Sequence, residues 1–186
     1  VLSMLSECVY ARKDYAQAEK YAKDAVSKFE KWSKETGKKQ GDPLIWYRLG
    51  LIQQAGGKAK ESLGSFDQAK YWGQNLNDFR RERGRSLMAL GDFGTAAGEL
   101  KELLLGTEDA AARRLKAECH VALGEYIESE RELLTVREKH PEEAARPEFL
   151  AQLALAHVLT GADREAKEVI EAARAADPDY AETLLA

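Results

Sequence analysis

Small and apolar residues return along this chain at a spacing of about 34 residues, inside segments that follow the i, i+3, i+4 rhythm of an amphipathic helix. The set is plainest at Trp46, Leu49, Gly50, Gly57, Ser62, Phe66 and Ala69. The same offsets read Arg80, Arg83, Gly84, Gly91, Ala96, Leu100 and Leu103, then Arg113, Lys116, Ala117, Gly124, Ser129, Leu133 and Val136. A last copy runs through Leu150, Leu153, Ala154, Gly161, Ala166, Ile170 and Ala173. Between the glycines the pattern predicts paired helices over 44–55 and 58–72, 77–89 and 93–105, 110–122 and 126–139, and 147–159 and 163–176. A degenerate first copy, with Leu5, Ser6, Val9, the turn Lys13-Asp14-Tyr15 and Ala18, Ala22 and Ala25, continues through Tyr21, Val26, Phe29 and Trp32 as an extended second helix. No stretch alternates with period 2, so no sheet is expected.

One helical pair cannot bury its apolar face, so such units stack, each leaning on its neighbours. Gly50, Gly84, Ala117 and Ala154 are small where paired helices approach, and Leu49, Phe66, Leu100, Leu133, Leu153 and Ile170 fill the space between. Pro141 and Pro178 end helices, because proline has no N–H to donate. The fold class is all-α, an α-solenoid.

These landmarks resemble the tetratricopeptide (TPR) repeat, whose pattern is W-x2-L-G-x2-Y followed by A-x3-F, an alanine and a proline. The resemblance implies a right-handed superhelix of helical hairpins. It divides the chain into repeats at about 1–33, 43–76, 77–109, 110–143 and 147–180, with a polar insertion at 34–42 and the start of a further helix at 179–186. Asp42-Pro43 reads as an N-cap followed by proline at the first helical position. The chain opens at Val1 without a Met and stops just after Asp177-Pro178-Asp179-Tyr180, and is read as a piece of a larger protein.

The candidate chemistry is thin. Cys8 and Cys119 share one repeat offset three repeats apart, too far for a disulfide, and both are read as small buried apolar residues. His120 and His157 fall at the offset where the TPR pattern prefers Tyr, and read as packing residues. No H-E-x-x-H, C-x-x-C, glycine-rich phosphate loop or G-x-S-x-G elbow occurs. The glutamates around Glu128, Glu130, Glu132, Glu142 and Glu143 read as a solvated outer face rather than a catalytic pair. No enzyme, cofactor or metal site is expected.

In a curved stack the first helix of each pair lines the concave side, and the resemblance implies that this side holds an extended or helical peptide of a partner protein. By offset the leading contact residues are Tyr10, Tyr47, Arg48, Leu51, Arg81, Arg85, Met88 and Arg114. The arginines suit an acidic ligand, or else Asp78, Glu82 and Glu118 neutralise them within the chain. The aromatic and apolar members either anchor a partner or pack between repeats. The Lys and Asn pattern of TPR domains that clamp a C-terminal carboxylate fits neither register of this chain. A net charge of -4 and a pI of about 5.6 argue against nucleic acid, and no apolar run reaches the length of a membrane span. Charge is uneven: residues 1–41 carry nine Lys/Arg against six Asp/Glu, residues 110–186 ten against sixteen. The alternative reading is therefore a self-assembling or spacer module of a larger secretion or envelope machine.

Overall fold

A computed structural model describes residues 2–37, 44–71 and 77–178. Among these residues there are eleven helices and no strand. They are α1 (Leu2–Ala11), α2 (Tyr15–Thr36), α3 (Leu44–Ala55), α4 (Ala59–Tyr71), α5 (Asn77–Ala89), α6 (Phe93–Leu104), α7 (Ala110–Ala122), α8 (Tyr126–Lys139), α9 (Pro141–Ala144), α10 (Pro147–Thr160) and α11 (Asp163–Ala176). From α3 onward, apart from α9, each lies within a residue of its predicted bounds at either end. The Asp42-Pro43 cap, most of the polar insertion and the helix expected at 179–186 fall outside the described residues.

Local chemistry sets these bounds. The Asp14 carboxylate accepts from the Gln17 N–H at 3.1 Å and caps α2. Asp109 does the same for α7 through Ala112 at 3.0 Å. The hairpin turns need a left-handed residue, and Gly57, Gly91, Gly124 and Gly161 supply it with φ between 75° and 80°. The first turn uses Lys13 there, at φ 62°. Pro141 does more than end α8: with His140 as its cap it opens α9, an element the repeat pattern does not contain.

The helices gather into two compact units, residues 1–92 and 93–186, divided between the two helices predicted for the third repeat. In the first unit α1 packs on α2, α2 on α3, α3 on α4 and α4 on α5. Its core joins Ala18, Ala22, Val26, Leu49 and Ile52 to a second cluster of Phe66, Ala69 and Phe79. Phe66 is wholly buried, in edge contact with Phe79 at 5.9 Å and tilted against Tyr47 at 5.8 Å. In the second unit α6, α7, α8, α10 and α11 pack in sequence, with α9 held between α8 and α10. Leu133, Val136, Phe149, Leu153 and Ala156 form the centre of its core.

Charged groups are built into both units. Glu19 is only 6% exposed. It holds Lys58 at 2.6 Å and Lys23 at 2.7 Å and accepts from Gln53 at 3.3 Å, and Ser65 in turn donates to Gln53. Burial pushes the Glu19 carboxyl up, but the bonds from Lys23, Lys58 and Gln53 pull harder and bring it down to about 2. A carboxylate depressed in the fold stabilises it above its ordinary pKa and loses that contribution as it protonates. Wild-type stability in urea is thus expected to fall between pH 4.5 and about 2, and Glu19→Gln to flatten that fall. Parallel curves for the two proteins across this range would contradict the assignment.

The same register recurs in the second unit. Glu130 stands one repeat offset with Glu19, and His157 with Gln53, and here the His157 Nδ1 lies 2.6 Å from Glu130 while Thr160 also donates to it. His157 is buried, as its tyrosine-like offset implied. His120 pairs with Glu125 at 2.6 Å. The two thiols are free, but they differ. Cys119 is buried, and burial pushes its thiol up to about 11. Cys8 is exposed, contrary to the expectation that both pack inside.

Candidate functional site

Tyr10, near the end of α1, and Leu44, Tyr47, Leu51 and Ile52, along α3, enclose a groove of about 300 Å³ whose walls are almost wholly apolar. α3 places Leu44, Tyr47 and Leu51 on one face because they follow the i, i+3, i+7 spacing. Ile52 forms part of the buried wall. Tyr10 leans on Tyr15 at 5.6 Å, which fixes its ring at the edge of the groove. The charged lining residues are Glu7 and Arg48, and they neutralise one another at 2.7 Å while Arg48 also donates to the Ser3 hydroxyl at 2.8 Å. This clasp ties α1 to α3 across the groove.

The second unit repeats the device in the same register. Gln152 of α10 occupies the offset of Arg48, and it donates to Glu118 and accepts from Arg114 at 2.7 Å, residues at the offsets of Glu7 and Ser3. Arg114 is further bound to Glu143 of α9 at 2.5 Å. The groove beside this clasp, with Val121, Leu133 and Leu155, holds about 120 Å³.

Of the eight candidate residues, Tyr10, Tyr47, Arg48 and Leu51 therefore meet in one groove, and Arg114 lies in the smaller groove of the other unit. Arg81, Arg85 and Met88 lie on α5 and line neither. The arginines are engaged within the chain. Arg85 stands 2.6 Å and Arg81 3.6 Å from Glu82, which is buried, and Arg48 and Arg114 have Glu7 and Glu143. Their charge is spent on neighbours. Glu143, expected on a solvated outer face, is instead largely covered against Arg114, because α9 lies outside the repeat register. Ile52 was not expected because its offset carries Ser86, Cys119 and Ala156 in the later repeats.

No family model and no curated protein matches this sequence. Solved structures do. YrrB, described as a TPR protein with an unusual peptide-binding site, matches with a TM-score of 0.72 over 98% of this chain and 89% of its own, at 17% identity. This is the tetratricopeptide-repeat fold. MamA residues 41 to the end from Desulfovibrio magneticus RS-1 gives a TM-score of 0.78 at 16% identity, over 96% of this chain and 94% of that one. A TPR protein from Parabacteroides merdae gives 0.74 at 19% identity, over 98% of this chain and 70% of that one. In TPR terms, the larger groove lies between the first helices of the first two hairpins, α1 and α3. Among the described residues no group of His, Cys, Asp and Glu is placed to hold a metal, and no helix is long and apolar enough to cross a membrane.

Proposed function

We infer that this TPR chain is a protein-interaction scaffold, not an enzyme, and that it holds a segment of a partner in the groove between α1 and α3. The observation that carries this reading is the groove itself: two tyrosines and three aliphatic side chains around about 300 Å³, with its two charges closed on each other. Aromatic residues beside a small apolar depression are the usual anchors of a binding surface, and this volume matches the small end of ligand sites, about 300–1,000 Å³. The mutual pairing of Glu7 and Arg48 favours an apolar side chain at the centre of the groove, since a charged one would lose water without gaining a partner there. The YrrB resemblance is consistent with a peptide ligand.

Displayed peptides selected on the wild-type chain supply the test. Leu51→Arg should weaken the selected peptides by about tenfold or more. The variant is expected to fold, with circular dichroism as the check, because Arg85 occupies the equivalent offset of the next repeat. Selected peptides that bind the variant as tightly as the wild type would remove the groove from the account.

A further inference from the structure

The corner between α7 and α8 differs from the other hairpins at one offset. Ile127, in the first turn of α8, is 70% exposed, with Leu123 at 46% and Tyr126 at 38% beside it in sequence. At the offset of Ile127 the other hairpins carry Ala16, Lys60, Gly94 and Arg164, none of them large and apolar. Three large apolar side chains thus lie within five residues of a tight turn, with Ile127 the most exposed of them. Exposed apolar clusters of this kind mark contact sites.

Charge says what the corner meets. The first unit carries 17 Lys/Arg against 12 Asp/Glu, the second 11 against 20. The corner sits in the acidic unit, in the phrase Glu125-Tyr-Ile-Glu128, and the apolar groove sits in the basic one, with exposed Arg12 and Lys13 following Tyr10. The groove is lined by apolar side chains, and its two charges, Glu7 and Arg48, close on each other. The corner is apolar and flanked by acid.

From these observations we propose that the α1–α3 groove receives the α7–α8 corner of a second copy of this chain, Ile127 and Tyr126 entering between Tyr10 and Leu51. This rests on the groove reading above and names the partner. Apolar insertion governs how long the copies stay together, while the opposite charges of the two units govern how fast they meet. Because groove and corner are different surfaces, the contact is heterologous and each copy offers one of each. Association therefore extends into an open chain or closes as a ring.

Sedimentation velocity on the full chain across a concentration series tests this. The wild type is expected to grow in mass with concentration at low salt, and to associate about tenfold more weakly when salt rises to about 0.5 M. Leu51→Arg blocks the groove and Ile127→Lys the corner. Each puts in a side chain that another hairpin carries at that offset, so circular dichroism should show both variants folded. Each variant alone is expected to stay monomeric. Mixed, they should form a dimer and stop, since one keeps the only working corner and the other the only working groove. A wild type monomeric at every concentration overturns the proposal, as does a mixture that remains monomeric. If such a monomer still loses selected peptides on Leu51→Arg, the groove reading stands and only the second copy is rejected. Peptides that ignore Leu51→Arg reject both.

Discussion

Gly50→Leu is expected to destabilise the first unit by about 3 kcal/mol or more, the upper end of the usual cost of overpacking. A Cβ built at Gly50 would stand 2.5 Å from the Phe66 ring, where real contacts do not occur. The ring cannot retreat: it is wholly buried and braced by Tyr47 on one side and Phe79 on the other. Gly50→Ala tests the same contact more gently. Alanine improves helix propensity by about 1 kcal/mol, so a net loss from this change isolates the steric term. Trimming the obstacle should give some of it back. Gly50→Ala combined with Phe66→Leu is expected to cost less than the two separate losses added, by about 0.5 kcal/mol or more. Additive losses in urea denaturation would mean that the two helices do not nest through this pair.

Glu132→Ala carries the other large effect, in the second unit. Glu132 holds Arg113 at 2.9 Å and Lys116 at 2.6 Å, with all three side chains under a fifth exposed. Burial pushes its carboxyl up, but the bonds and charges of Lys116 and Arg113 outweigh this and hold it below the ordinary range. Removing one partner of a buried ion pair costs about 3–5 kcal/mol when the other charge is stranded. Here the cost should be nearer 2–3 kcal/mol, because Arg113 keeps Glu108, which accepts from it at 2.9 and 3.1 Å. Glu132→Gln, which still accepts hydrogen bonds, should recover part of the loss near neutral pH. The sign with pH follows from the depressed carboxyl: wild type and Glu132→Gln should converge in acid, as Glu132 protonates and its advantage disappears. A gap that persists below the folded pKa would assign the effect to shape instead of charge.

The helices could be read from the residues because their causes are local. A glycine at the turns after α3, α5, α7 and α10 and a carboxylate before α2 and α7 act within a few positions of themselves. A period of apolar residues repeats that information several times over. The groove was half legible for a related reason. Repeat offset singles out Tyr10, Tyr47, Arg48 and Leu51, and α1 and α3 bring them to one groove. Which arginines are free to meet a ligand was not legible. The offsets suggested Glu118 for Arg114, yet α9 brings Glu143 to Arg114, and Gln152 donates to Glu118. Cys8 and Cys119 share an offset, but one is exposed and the other buried inside a packed unit.

Side-chain spacing along a helix is a property of the backbone, and so the order of elements, the crossing residues and the direction of each face belong to the linear chain. Charge pairing and exposure depend on which helices become neighbours through space. The closed Glu7–Arg48 clasp, the apolar groove beside it and the exposed corner at Ile127 came only with the packing, because each is a relation between residues that no local period connects.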